Sequence, residues 1–354
     1  MNEYAIQMSA AETSSFLMGW YNWGIELIKV IQGSANPAFT AVIELITVMG
    51  TGYFYIPLIL IIFWWIDEKR GLRLGILFII SAWINSFLKD LLGHPRPFHL
   101  DPSVGLAFEP TFGAPSGHAQ FSFTFWVPTA VWISQVWNKK KSGLTEPVKQ
   151  AIVWTATFFF ILLIGYTRLY LGVHFPTDLF AGWFLAAIIV VIWFIAGPFF
   201  TKQLVSAGVR AQNIVAAAIA LLMSGLYPSD RTMPALFLGF CLGYTLMKQR
   251  FPFSSRGEIN GKRPEVRIFI LRALVGFAGM AVIYIVLRFV FPGEGSLFAD
   301  VPIWGEASPF YEIGRFIRYG LVGFWASAGA IYVFRRMGLA PSVGVAGEGQ
   351  GNPE

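Results

Sequence analysis

A chain of 354 residues, 55% of them hydrophobic and only 13% charged, with a mean hydropathy of +0.59, is too apolar for an ordinary soluble domain. The net charge of +6 argues at first for nucleic acid, but the basic residues collect in short loops between apolar runs, the pattern that orients a membrane protein. Nucleic acid is therefore excluded as a partner and the bilayer takes its place. The single cysteine, Cys241, lies in an apolar run, cannot form an intrachain disulfide and reads as helix packing.

In chain order, residues 1–36 form an extracytoplasmic N-terminus that lacks the basic start and cleavage pattern of a removable signal peptide. Within it, residues 16–32 combine Trp20, Tyr21 and Trp23 with Glu26 and Lys29, which predicts a helix lying in the membrane interface, or else a short extra span. Nine runs long enough to cross the hydrocarbon layer follow, at 43–65, 72–92, 118–136, 149–168, 177–197, 208–226, 233–248, 268–290 and 315–334. Each must be a helix, because a spanning backbone has to satisfy its own hydrogen bonds. The fold class is an all-α integral membrane bundle of about nine transmembrane helices plus the N-terminal interfacial helix. A functional division near residue 200 separates a five-span core, 37–200, from an accessory four-span bundle, 201–337. A Gly-rich cytoplasmic tail predicted to be disordered closes the chain, 338–354.

Basic residues mark alternate connections: Lys69, Arg70 and Arg73; Lys139, Lys140, Lys141 and Lys149; Lys202 and Arg210; then Lys248, Arg250, Arg256, Lys262, Arg263 and Arg267; and finally Arg335 and Arg336. These sides are read as cytoplasmic, and the loop carrying Glu294, Asp300, Glu306 and Glu312 as the opposite face. The N-terminus is then outside and the C-terminus inside.

Three polar clusters fall in the connections assigned to the extracytoplasmic side. Lys89 is followed after six residues by Arg96-Pro97; Pro115-Ser116-Gly117-His118 enters the third run; Thr167-Arg168 is followed after five residues by His174 and after three more by Asp178. Phosphoryl transfer needs its charged oxygens held and neutralised. Arg96 and Arg168 can bind them bidentately while Lys89 adds a point charge. Ser116 and Gly117 open a helix, where free backbone N–H groups and the positive dipole end favour an anion. His174 is the candidate nucleophile, because Asp178 can hold its other ring nitrogen and fix the reactive tautomer. His118 is left as general acid, protonating the leaving oxygen and later activating water. The scheme needs no metal and no cofactor, and no cluster with metal-ligand spacing is visible.

This set, K-x6-RP, PSGH and R-x5-H-x3-D, resembles the signature of the type 2 phosphatidic acid phosphatase superfamily, which includes membrane lipid phosphatases, glucose-6-phosphatase and soluble vanadate haloperoxidases. The resemblance covers roughly residues 37–200 and departs from the family only at Thr167, where serine is usual. It implies the same roles for His174, His118 and Asp178, and the same phosphate-binding roles for Lys89, Arg96, Ser116, Gly117 and Arg168.

Other polar residues have blander readings. Arg73, Arg210 and Arg272 are expected to be anchors snorkelling to the interface. His94 and His99 are expected to be solvated or packed loop histidines, and Asn85 and Asp90 are left outside the site. The function expected is hydrolysis of a phosphorylated lipid, either a monoester or a diphosphate, through a phosphohistidine, at the outer face of a bacterial cell membrane. Phosphatidate, phosphatidylglycerol phosphate, a sphingoid base phosphate and undecaprenyl diphosphate all fit a site at headgroup level. The alternatives are a glucose-6-phosphatase-like hydrolase of a soluble sugar phosphate and a phosphate-binding transporter.

Overall fold

The computed structural model describes residues 15–139, 143–259, 262–291, 308 and 310–341. Among these residues every named element is helical. The first half contains α1 (Ser15–Gln32), α2 (Pro37–Val48), α3 (Gly52–Ile61) with a wider turn continuing to Ile66, α4 (Glu68–Leu92), the single turn α5 (Pro97–Leu100), α6 (Gly117–Asn138), α7 (Glu146–Tyr170) and α8 (Pro176–Ser206). The second contains α9 (Gly208–Leu226), α10 (Thr232–Arg250), α11 (Val266–Val290), α12 (Tyr311–Phe324) and, after a wider turn over Trp325–Gly329, α13 (Ala330–Arg336).

All nine predicted runs are helical, but among the described residues six segments are long and apolar enough to span, or seven if α2 and α3 count as one bent span. α6 and α10 fall outside that set. In α6 the reason is its polar interior face: Gln120, Ser122, Thr124, Thr129 and Ser134 are buried. A helix sheltered by protein can carry such groups, and its hydropathy falls accordingly. The run predicted as one span at 43–65 is broken and bends by 46° between α2 and α3. Gly50 sits in that break, and a Cβ there would lie 2.6 Å from His118 Cδ2 and 2.7 Å from Ile164 Cγ2. The bend therefore lets backbone approach the His118 ring, which an unbroken helix with side chains could not.

The chain divides into two compact units, one of Met1–Ile56 with Ile84–Gly197 and one of Pro57–Trp83 with Pro198–Glu354. Residues 57–83 thus group with the helices that follow Gly197. In that second unit Trp64 Nε1 donates to the Ala326 carbonyl at 2.9 Å, inside a core with Phe63, Phe240 and Phe334. Arg272 is no snorkelling anchor. It is fully buried and donates to the carbonyls of Leu339, Trp64 and Ser255 at 2.7, 2.8 and 2.7 Å, because a guanidinium withdrawn from water must fill its donors locally.

In the first unit, Asn36 caps α2 by accepting the Phe39 N–H at 3.0 Å, with Pro37 preset for the first turn. α1 buries Tyr21, Ile25 and Ile28 against Val104 and Phe175, while Trp20 and Trp23 stay exposed. Ile43 packs with Tyr170, Leu171 and Val173, and these two clusters clamp the short connection from α7 to α8. Along α8, Phe180, Phe184, Ile188, Val191, Ile195 and Phe199 stand exposed at helical spacing, an apolar stripe suited to lipid. The acidic residues Glu294, Asp300 and Glu306, the pair Lys140 and Lys141, and residues 342–354 of the tail lie outside the described residues.

Candidate active site

The three motifs converge within the first unit. Lys89, in the last turn of α4, is buried and donates to the carbonyls of Phe112 and Gly113 at 2.6 and 3.2 Å. Arg96 caps α5 and is wholly buried, and its guanidinium is held by the loop before α6 and by the α7–α8 connection. Nε donates to Thr111 O at 2.6 Å, Nη1 to Val173 O at 2.7 Å, and Nη2 to Thr111 Oγ1 at 3.0 Å and Phe112 O at 3.1 Å. Arg96 and Lys89 thus share the Phe112 carbonyl, and the 109–113 loop wraps around the cations. Arg168, at the end of α7, donates to Thr47 Oγ1 at 2.7 Å.

His174 lies in the tight α7–α8 connection and is 1% exposed. Its Nδ1 is 3.3 Å from Asp178 Oδ2, and its Nε2 is 3.4 Å from Arg96 Nη1. An ionised carboxylate only accepts, so Asp178 assigns the proton to Nδ1 and leaves the Nε2 lone pair toward the arginine. Burial, together with the charges of Arg96 and Lys89, holds His174 well below the ordinary imidazole range despite Asp178. A neutral ring is the nucleophilic form. Asp178 is itself fixed, since Oδ2 accepts the Phe175 N–H at 2.9 Å and its carbonyl accepts the Ser116 N–H at 3.0 Å.

That last bond joins the second motif to the third. Ser116 precedes α6 without capping it, and its buried hydroxyl has no partner among the described residues. A Cβ on Gly182 of α8 would stand 2.6 Å from the Ser116 carbonyl, so glycine lets the two helix starts close. Asn85 Nδ2 donates to Pro115 O at 3.1 Å and Gln120 Oε1 at 2.8 Å, holding the turn that presents Ser116 and Gly117. His118 hydrogen-bonds the Thr47 backbone. Seven of the eight predicted residues therefore belong to one network, and Gly117 follows Ser116 at the start of α6.

Several members were not singled out from the sequence. Glu109 pairs with Arg96, Oε2 to Nη2 at 2.8 Å, and with Arg168 through Oε1. One signal was available: Glu109 is the only Asp, Glu, Lys or Arg between Asp101 and Lys139. Thr47 and Thr111 carried no such signal. His94, read as a bland loop residue, lies with Nδ1 3.2 Å from Asp178 Oδ1. His99 accepts the Arg96 N–H at 3.2 Å, and Asp90 is exposed. Thr167 donates to Ile164 O at 2.7 Å and to Thr47 Oγ1 at 3.0 Å, so its hydroxyl is spent inside the protein.

Residues 70–202 match the model of the PAP2 superfamily, and residues 231–342 match a model described as PAP2 superfamily phosphatase, transmembrane extension. An undecaprenyl-diphosphatase of Sulfolobus acidocaldarius is 28% identical over 168 residues, 47% of this chain and 74% of that one. Phosphatidylglycerophosphatase B of Bacillus subtilis is 29% identical over 158 residues, 44% of this chain and 73% of that one. Sphingosine-1-phosphate phosphatase 2 of Mus musculus is 27% identical over 150 residues, 41% of this chain and 38% of that one.

Proposed function

The chain belongs to the PAP2 superfamily, and from that premise we propose that it is an integral membrane phosphatase that removes phosphate from a lipid monoester or diphosphate through a phosphohistidine. The observation that carries the mechanism is the placement of His174, held at Nδ1 by Asp178 and facing Arg96 at Nε2. Nε2 attacks phosphorus and the bond from phosphorus to the leaving oxygen breaks, while His118 gives that oxygen its proton. Water then attacks the phosphohistidine, loses a proton to His118 and releases inorganic phosphate, which restores both rings. Lys89, Arg96, Arg168, the Ser116 hydroxyl and the N–H groups opening α6 bind the phosphoryl oxygens.

The substrate class follows from the relatives, whose names speak of undecaprenyl diphosphate, phosphatidylglycerophosphate and sphingosine 1-phosphate. The apolar stripe on α8 supports entry of an amphiphile from the bilayer. In this reading residues 37–200 carry the chemistry and 201–337 form an accessory bundle. The alternation of basic connections supports an extracytoplasmic site and a cytoplasmic C-terminus.

The test is phosphate release by the purified protein in detergent with chelator present, comparing phosphatidate, phosphatidylglycerol phosphate, sphingosine phosphate, undecaprenyl diphosphate and glucose 6-phosphate, with vanadate as inhibitor. Chelator-resistant, vanadate-sensitive turnover of a lipid above the sugar is expected. Preference for glucose 6-phosphate would overturn the lipid assignment, and silence towards all five would move the protein to a binding or transport role.

A further inference from the structure

The mechanism uses one oxygen of Asp178; the other is buried and makes no hydrogen bond among the described residues. Oδ2 serves His174 and the Phe175 N–H, whereas Oδ1 faces a second imidazole, His94, with Nδ1 at 3.2 Å. The far side of that ring is held as well. Tyr21 Oη from α1 lies 3.0 Å from His94 Nε2, and the two rings meet edge to face with centroids 5.3 Å apart. Phe175 adds a second edge contact at 6.2 Å. Tyr21 is buried at 4% exposure and Asp178 at 0%.

Hydrogen-bond roles in this chain follow from what each atom can do. The carboxylate only accepts, so the neutral His94 ring carries its proton on Nδ1, and Nε2 accepts the Tyr21 O–H. The line Tyr21, His94, Asp178, His174 therefore runs across the base of the site. The charged or titratable groups facing His94 are Tyr21 from α1 and Asp178 from α8; His174 stands behind Asp178, and Arg96 and Lys89 act on His174.

We infer that His94 is a positioning residue for phosphoryl transfer, which fixes the Asp178 carboxylate so that its other oxygen keeps His174 in the Nδ1–H tautomer. With Oδ2 hydrogen-bonded to His174 and to the Phe175 N–H, and Oδ1 lying 3.2 Å from the His94 ring, the carboxylate is hemmed on both sides and kept from rotating away from His174. When phosphate sits on Nε2, the His174 ring carries positive charge at Nδ1–H, and an aligned carboxylate is what balances it. Through Tyr21 the N-terminal helix becomes part of this support.

This inference rests on the phosphatase reading, and its test separates the two. On the lipid that the wild-type chain hydrolyses best in detergent, kcat, KM and vanadate inhibition are measured for His94→Phe, His94→Asn and Tyr21→Phe. His94→Phe is expected to lower kcat about ten- to a hundredfold, the worth of a hydrogen bond to a charged group, with KM and vanadate inhibition held within about twofold. His94→Asn, which restores an N–H towards Asp178, should recover most of kcat. Tyr21→Phe, which removes only a hydroxyl, should lower kcat roughly threefold even if His94→Phe fails to fold. Wild-type kcat in His94→Phe or in Tyr21→Phe, or a joint loss of kcat and KM that His94→Asn does not relieve, would overturn the inference. A wild-type chain silent towards every phosphate would instead overturn the phosphatase reading.

Discussion

Glu109 Oε2 lies 2.8 Å from Arg96 Nη2, and through its other oxygen the same carboxylate pairs with Arg168. Between two guanidiniums exposed to only 0% and 3%, it stands where the proposed function puts the phosphoryl group. Its own 27% exposure leaves it a way out into water. On the proposed function, substrate phosphate and Glu109 compete for one pair of forks. Replacing Glu109 by Gln keeps the shape and removes the charge. Inhibition by vanadate should tighten about tenfold, and the ligand-free protein should melt at lower temperature, since two buried cations lose their counter-charge. Unchanged vanadate inhibition with unchanged melting would show that the pair does not close in solution.

The two histidines should separate cleanly in kinetics. His174→Ala is expected to abolish turnover and the acid-quenched phosphoenzyme together, since His174 presents its Nε2 to the Arg96 fork. His118→Ala should lower turnover of a lipid ester by about 10²- to 10⁴-fold, the usual worth of a general acid, and much less for phosphorylation by p-nitrophenyl phosphate, whose leaving group needs no proton. Radiolabelled phosphoenzyme should then accumulate in His118→Ala. Turnover surviving in His174→Ala would refute the nucleophile assignment.

His174 also ties stability to pH. Its folded-state ionisation is held well below the unfolded value of about 6.5, so between those two values the unfolded chain binds the extra proton. The sign follows: this contribution is complete above about pH 6.5 and is lost as pH falls below it, by at most about 1.4 kcal/mol per pH unit. Thermal melts in detergent at pH 7 and pH 5 should show a smaller acid-induced drop for His174→Gln than for the wild type. An equal drop would mean that the folded ring takes up its proton over the same pH range as the unfolded one.

Gly182 tests the join between α6 and α8. An added Cβ would meet the Ser116 carbonyl at 2.6 Å and Ala119 Cβ at 3.2 Å, and the backbone atom cannot swing away. Gly182→Ala should cost about 1–3 kcal/mol of stability by overpacking. Because the displaced residue carries the N–H bond to Asp178, kcat should fall in the folded fraction too, by roughly tenfold for each 1.4 kcal/mol lost from the transition state. Full activity per folded molecule would show that the helix starts tolerate separation.

Much of this site is legible in the chain because its parts are local. Lys89 to Arg96 is one helix end and its loop, Ser116 to His118 one turn, and His174 to Asp178 four residues; polar types at such spacings imply their geometry. Composition likewise settles that the chain is helical and membrane-embedded, since lipid leaves the backbone few options. Other features were decided only by how the helices stack. Glu109 meets Arg168 across 59 residues and Thr47 meets it across 121, and His94 reaches Asp178 from the far side of the site. The same holds for the bend at Gly50 and for the buried polar face of α6, which lowers its hydropathy below that of a lipid-exposed span. Hydropathy measures what a segment gains by leaving water, but it carries no record of which neighbour receives each face. A lone carboxylate in a loop becomes a counter-ion only when two buried arginines from distant segments are brought to it, and that is the work of tertiary packing.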